Sequence, residues 1–450
     1  MNKTLTIFLS KIILKLLKLI GRGSSLPGEI ALKLNKNLLK EFKINSKIIA
    51  VTGSSGKGST SSMIVDSLRE LGYSVAHNMK GSNLKFGIIT LLIENSNIHG
   101  ELNQDFLVFE MDERYAKYVF CDIEPDFVIV TNVTRDQPPR QGNVDIVLND
   151  IKNAIPKKSH IILNADSPYM QNLVIDKENE VTYYSVCENK FSENESIYKK
   201  LNIYYCPKCS CKLKYSYYNF EENGKYICTN EKCGFEYPRP DFEVTDINFE
   251  SNIITINNKY KINTEPKLLF NVYNVIAAFS TLSLLNLKNE DISNVLSMEK
   301  LNKKIYSSYT QNSRNVYVLN NKNENATTFN QSLFFVNMNK DTQKTIVIGW
   351  WQISRRYEYN DISWLYDVDF EILKEQNIES IVCVGPEAYD IAARLKLSGI
   401  DKNLINPFTK LKDATDYIKD KTKGEVYGIL NFDYVTPFNK YMKGEKAWLK

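Results

Sequence analysis

Histidine is scarce in this sequence. Only three occur in 450 residues, His77, His99 and His160, and none falls in a motif. A Cys–His glutaminase or a Ser–His hydrolase is therefore hard to assemble within the chain, since both need an imidazole to take the nucleophile's proton. If the chemistry consumes ammonia, another chain has to release it. A strong charge is also missing: 57 basic against 53 acidic side chains leave +4, and no nucleic-acid partner is expected. Internal repeats and low-complexity linkers are absent. The abundance of Asn, Lys and Ile reads as a composition bias and carries no function.

No apolar run is long enough to span a bilayer, which takes about 20 mostly apolar residues. The nearest approach is LTIFLSKIILKLLKLI (5–20), interrupted by Lys11, Lys15 and Lys18. These lysines recur at i, i+4 and i+7 on one face of a helix. Two readings stand: a helix packed on the domain behind it, which is favoured, or one in peripheral contact with a membrane surface. Secretion is not implied, and a cytoplasmic location is expected, the inner membrane face being the alternative. Eight cysteines do not suggest disulfides, because five of them lie between Cys206 and Cys233. That clustering points to a metal in a reducing compartment.

At 51.9 kDa the chain should form two or three domains. After a loop, GRGSSLPG (21–28), and a helical stretch comes a strand beginning at Lys47, then a Gly-rich loop and a helix from about Ser59 to Leu71. The runs SVAH, DFLVFEMD (105–112), DFVIVTNV (126–133) and HIILNAD (160–166) read as buried parallel strands. Alternation of strands and helices predicts an α/β fold with a doubly wound sheet. Residues 187–245 break the rhythm and predict a small β insert, before FEVTDINFESNIITINNKYKI (242–262) returns to the sheet and a helix covers 271–285. From about residue 310, VYVLN, TIVIGW, SIVCVG and EVYGILNF predict a second, smaller Rossmann-like unit. The expected domains are an N-terminal helical segment (1–46), a central domain (47–305, insert at about 203–240) and a C-terminal domain (306–450).

Four groups of residues carry chemistry. TGSSGKGST (52–60) lies between a strand and a helix. Gly53, Gly56 and Gly58 let backbone N–H groups wrap a phosphate, and Lys57 reaches its terminal oxygens. The spacing Gly-x2-Gly-Lys is shorter than the Walker pattern, and a plain Gly/Ser turn is the alternative. Glu110, closing the strand in FEMDE, is placed to hold Mg²⁺, while Asp112 and Glu113 fit a solvated acidic turn better. The polar run Thr131–Gln137 should line the same crevice, with Arg135 neutralising phosphate charge. Finally, Cys206-x2-Cys209 and Cys228-x4-Cys233, separated by 18 residues, have the spacing of a closed four-thiolate Zn²⁺ site, with Cys211 as a spare.

In the order TGSSGKGST, FEMDE, TNVTRDQ, FNVYNVIAA, these motifs resemble the ATPase domain of the Mur ligase superfamily. The Gly-Lys-Gly-Ser loop is similar to its folylpolyglutamate synthase branch. The four-cysteine insert, GRGSSLPGEIALKL and NDISWLYDVDFE resemble the MurT branch, the ligase subunits of lipid II isoglutaminyl synthase. The resemblance implies a Mur ligase-like P-loop ATPase domain with an inserted zinc ribbon and a C-terminal Rossmann-like ligase domain. It implies ATP, Mg²⁺ and Zn²⁺, lipid II as substrate, and a GatD-like glutaminase as the partner in a heterodimer. The reaction implied is amidation of a D-glutamate α-carboxylate through an acyl phosphate. By motif position, Lys57, Ser59 and Thr60 would bind phosphate and Glu110 Mg²⁺, and Asn271 and Asn274 would sit near the base or ribose. Asp361 would complete the partner's Cys–His pair; without the resemblance it reads equally as a helix N-cap ahead of Trp364. The sequence departs from the branch at Gly58, usually Thr, and in segments 322–331 and 350–361. A diverged ligase acting on another carboxylate, and a nucleotide-binding regulatory scaffold, are the competing readings.

Overall fold

The computed structural model describes residues 1–78, 82–135, 142–198, 205–298, 306–321, 325–351 and 361–447. Apolar runs bounded by turn residues supply the central strands: β1 (Lys47–Thr52), β2 (Val75–His77), β3 (Phe106–Glu110), β4 (Phe127–Val130), β5 (His160–Asn164) and β6 (Val181–Val186). A hairpin of β7 (Leu213–Phe220) and β8 (Asn223–Cys228) follows, then β9 (Phe242–Asn248), β10 (Ile253–Ile256) and β11 (Tyr260–Asn263). The central sheet has nine strands in the order β11-β10-β9-β6-β5-β4-β1-β3-β2. It is parallel from β2 through β9, and antiparallel only where β10 and β11 fold back at the edge.

Successive side chains of a strand point to opposite faces, and both faces here are covered. Ile49, Val51, Val108, Ile129 and Ile162 belong to one core, with α3 (Lys57–Glu70) and a helix at Leu269–Ser283. Ile48, Ala50, Leu107, Val128 and Ile161 belong to the other. That second core includes Ile7 of α1 (Lys3–Leu19), Ala31 of α2 (Leu26–Leu34) and Ile88 of α4 (Lys85–Asn95). The helix at Leu269–Ser283 is α5. Both Asn271 and Asn274 are buried, and Asn274 stands against the glycine loop at the end of β1, as its contact described below shows.

The C-terminal sheet is formed by β12 (Tyr306–Gln311), β13 (Arg314–Asn321), β14 (Lys344–Gly349), β15 (Ile378–Val384), β16 (Ile405–Phe408) and β17 (Glu425–Asn431), in the order β12-β13-β17-β14-β15-β16. Only β12 runs antiparallel. Strand β16 was not legible as a strand, because it holds Pro407, which a sheet tolerates at its edge. Helix α6 (Ala326–Asn337) buries Phe329 against Trp350 and Trp364, and this aromatic group is continuous with the α5 side of the central core.

The β7–β8 hairpin and the segment after it are fastened to the central sheet by bonds around Asp166. Tyr226 donates its hydroxyl to the Ala165 carbonyl (3.0 Å), and Tyr237 donates to Asp166 Oδ1 (2.6 Å). Tyr273 of α5 and the Val186 amide both donate to Asp166 Oδ2. Burial pushes the Asp166 carboxyl up to about 7, while these donors pull it the other way. The sequence gives one helix start differently: α3 begins at Lys57, so the lysine lies in its first turn. Of the two readings of the N-terminal segment, packing describes Thr6, Ile7, Ser10 and Leu14, all buried.

Candidate active site

The loop after β1 is held so tightly that two of its positions admit only glycine. At Gly53 (φ 126°) an added Cβ would lie 2.3 Å from Thr131 Oγ1 and 2.6 Å from the Asn132 carbonyl oxygen. At Gly56 (φ 81°) it would lie 2.3 Å from Asn274 Oδ1. Both φ values are in the left-handed region that side chains avoid. Hydrogen bonds from the polar run after β4 fasten the loop. Ser54 N donates to the Asn132 carbonyl (2.9 Å), Ser55 N to Asn132 Oδ1 (2.9 Å) and Thr131 Oγ1 to the Ser55 carbonyl (2.6 Å). Thr134 N donates to Ser54 Oγ (2.9 Å). Asp136 and Gln137, the end of that run, lie outside the described residues.

Lys57 is buried and turned back onto its own loop. Its ammonium donates to the Gly53 carbonyl and pairs with Glu113 Oε2 at 3.0 Å; the two side chains are 8% and 1% exposed. The expectation that Asp112 and Glu113 form a solvated turn is therefore corrected: both are buried. Glu113 neutralises an ammonium that a low-dielectric site would otherwise leave bare. Sequence alone gave no signal for this, since the pair spans 56 positions.

Glu110 closes β3, and Asn78 clamps its backbone through bonds of 2.8 and 2.9 Å. Its carboxylate leans over the first turn of α3, where a Cβ at Gly58 would come within 3.3 Å of Glu110 Oε2. Ser59 is exposed and lines the cleft beside Glu110. Thr60 is fully buried and gives its hydroxyl to Asn274 Oδ1 (3.3 Å), away from the cleft lining. On α5, Asn271 donates to Thr264 Oγ1 (3.0 Å). Asn271 Oδ1 and Asn274 Nδ2 are buried with no hydrogen-bond partner, and a buried amide atom left so is costly unless a ligand meets it.

The C-terminal domain forms the facing wall. Leu319, Asn320 and Asn321 at the end of β13, and Thr328, Gln331 and Ser332 on α6, bound a cleft of about 310 Å³ with the glycine loop and Glu110. Of the segment 322–331, residues 322–324 lie outside the described residues, as do 352–360. Arg135 joins the two walls: its Nη1 donates to both carboxylate oxygens of Asp367 (3.1 and 2.9 Å). Burial raises the Asp367 carboxyl and Arg135 lowers it. Asp361 accepts the Ser363 amide on Oδ1 (2.8 Å) at the start of the short helix Ser363–Asp367, which buries Trp364. It does not line the cleft.

Two further carboxylates reach this region from the insert. Glu221 and Glu222 form the tip of the β7–β8 hairpin, 3% and 4% exposed, beside Ser55, Gly56 and Asn274. Glu221 accepts from Asn330 Nδ2 (3.1 Å) and Glu222 from Ser167 Oγ (3.2 Å), and burial raises both carboxyls. Two acidic residues ahead of Asn-Gly read as an ordinary solvated turn, so sequence reasoning missed them.

At the far end of the hairpin, the Sγ atoms of Cys206, Cys209, Cys228 and Cys233 all lie within 4.8 Å of one another. The pairs Cys206–Cys233 and Cys209–Cys228 are 3.6 and 3.5 Å apart. A tetrahedron with Zn–S bonds of ~2.3 Å has edges of about 3.8 Å, so four thiolates here fit that ion. The Lys208 and Asn230 amides each point at one of these sulfurs, Cys206 and Cys228 Sγ (3.4 Å). Cys211 stands outside the group, its carbonyl accepting the Cys206 amide.

A glycine loop and a strand-end carboxylate face a second α/β domain here, and by its family the chain is a carbon–nitrogen ligase. The chain belongs to the Mur ligase family: the Mur ligase middle domain matches residues 51–282. The MurT ligase C-terminal family matches residues 322–434. The chain is 29% identical over 452 residues to the lipid II isoglutaminyl synthase (glutamine-hydrolyzing) subunit MurT of Staphylococcus aureus strain COL, covering 97% of each. It is 26% identical to the protein of that name from Streptococcus pneumoniae strain R6, covering 94% of this chain and 93% of the other. Among solved structures, a pseudomurein peptide ligase type C from Methanothermus fervidus has the same fold (TM-score 0.67, 18% identity, 91% of this chain and 81% of that one). So does MurF ligase from Thermotoga maritima in complex with ADP (TM-score 0.59, 15% identity, 92% and 84%).

Gly56→Ala tests the loop. The left-handed φ costs about 1 kcal/mol for alanine, and its methyl must displace Asn274. ATP affinity measured by calorimetry should fall at least about tenfold while the thermal unfolding midpoint drops by only a few degrees; wild-type affinity would show that the loop does not cradle the nucleotide.

Proposed function

We propose that this chain is the ligase subunit of a lipid II isoglutaminyl synthase. It amidates the α-carboxylate of the D-glutamate in the lipid II stem peptide, using ATP and ammonia from a GatD-like glutaminase. The end-to-end similarity to proteins bearing that name carries the reading. In the proposed cycle the carboxylate oxygen attacks the γ-phosphorus of ATP, ADP leaves, and an acyl phosphate forms. Ammonia adds to its carbonyl, phosphate departs with the C–O electron pair, and the amide remains after loss of a proton.

The residues suit those steps. Backbone amides of Gly53, Gly56 and Gly58 and the start of α3 supply positive potential for the phosphates. Lys57 would exchange Glu113 and its loop carbonyls for the terminal phosphate. The Mur ligase family uses ATP and Mg²⁺; Glu110 with Ser59 would hold the ion, which screens charge on the β and γ phosphates. Asn271 and Asn274 have free amide atoms to offer the base or ribose. Arg135 would trade Asp367 for the phosphoryl group in transfer, where its charge counts most. Thr60 supports the loop from behind through Asn274. Asp361, partly exposed and away from the cleft, would serve the partner's histidine, where a carboxylate would fix the imidazole tautomer.

Zinc is assigned to the four cysteines as a structural ion. Elemental analysis of protein purified without chelators should give one zinc per chain, and Cys228→Ser should lose it; a metal-free wild type would refute the assignment. For the reaction, Glu110→Gln should abolish Mg-ATP turnover. Asp361→Asn should slow glutamine-dependent amidation at least about a hundredfold while sparing ammonium-dependent amidation. Equal loss with both nitrogen sources would remove Asp361 from the partner's triad.

A further inference from the structure

Helix α1 is amphipathic in an unusual sense, because its exposed side is more apolar than its packed side. The packed side, against α2 and α4, includes Thr6 and Ser10 beside Ile7 and Leu14. Leu5, Phe8, Ile12, Leu16, Leu19 and Ile20 instead face outward, with Leu16, Ile20 and Leu19 exposed by 60, 66 and 84%. At 3.6 residues per turn these six fall within an arc of about 120°. A continuous apolar stripe of this kind on a folded surface marks an interaction site.

What borders the stripe identifies its occupant. Lys11, Lys15 and Lys18 follow one edge of it at helical spacing, and Arg22 lies just beyond the helix end. Residues 1–28 contain five basic and no acidic side chains. Lys11 and Lys18 reach Glu94 of α4, while Lys15 and Arg22 are exposed. The helix is about 26 Å long, and no helix among the described residues is long and apolar enough to cross a membrane. A single convex apolar face, fringed by cations with no carboxylate of its own helix to answer them, suits the boundary between anionic headgroups and acyl chains. There the aliphatic lysine stems lie along the apolar layer and the ammonium groups meet phosphates.

We propose that α1 is a membrane-surface anchor that lays Leu5, Phe8, Ile12, Leu16 and Leu19 into the face of an anionic bilayer. The assignment stands on the helix alone and does not require the substrate to be a lipid. The other side of α1 is fixed to α2 and α4, so docking would hold the whole second face of the central domain toward the membrane.

The test is flotation of the full chain with phosphatidylcholine vesicles, with and without phosphatidylglycerol. The chain should float with the anionic vesicles and release as salt rises. Phe8→Glu with Leu16→Glu should weaken binding at least about tenfold, with an unchanged circular dichroism spectrum and melting midpoint, since both positions are exposed. Leu16→Ser with Leu19→Ser, a milder pair, should weaken it partway. Failure of the wild type to float, or equal flotation of both variants, overturns the proposal. A wild type that ignores vesicles but self-associates, or binds its glutaminase, through this stripe would also overturn it and assign the stripe to protein.

Discussion

The close approach of the Gly53–Gly56 backbone to Asn132 and Asn274 is the constraint from which the rest of the site follows. Because a side chain at either glycine would collide with a neighbouring strand end or helix, the loop cannot relax into a wider turn. Its amides are aimed before any nucleotide arrives, and preorganised dipoles need no rearrangement when charge develops. The same contact sets α5 in register with α3, since Asn274 accepts from Thr60 on one helix while standing against Gly56 of the loop. Loop, helix pair and the ends of β1, β3 and β4 thus behave as one rigid wall.

The opposite wall is carried by a different domain and is tied to the first by polar contacts near the cleft. Arg135 holds Asp367, and Asn330 holds Glu221 at the tip of the inserted hairpin. The insert is therefore a wedge with two ends. Its cysteines sit at one end, and its two buried glutamates reach the glycine loop at the other. Asp166 fixes the wedge between them by accepting from tyrosines of both the insert and α5. A buried charge tied to several donors resists displacement, because removing any partner leaves a polar group unsatisfied in a dry site.

Much of this was legible in the sequence, and for identifiable reasons. Parallel strands buried on both faces appear as unbroken apolar runs, so β1, β3, β4 and β5 stood out. The glycine loop and the cysteine spacings are local patterns whose geometry follows from a few adjacent residues. What escaped was long-range or disguised. Lys57–Glu113 and Arg135–Asp367 join residues remote in sequence. Glu221 and Glu222 occupy a turn that composition marks as solvent-facing, yet tertiary packing buries them. The stretch at Lys85–Asn95 is apolar on all sides because it is a helix enclosed between α2 and the sheet, and periodicity does not separate such a helix from a buried strand. The solvated turn assigned to Asp112 and Glu113 failed because Glu113 is the counter-charge of the buried Lys57, while Asp112 accepts the Arg114 amide within the turn.

The central claim is that this cleft joins ammonia to one particular carboxylate. Mass spectrometry of lipid II incubated with the chain, Mg-ATP and isotope-labelled ammonium tests it most directly, with and without a co-expressed glutaminase. Label is expected at the D-glutamate α-carboxylate whenever ammonium is supplied. ATP hydrolysis without label in lipid II under either condition would contradict it and point to a different acceptor.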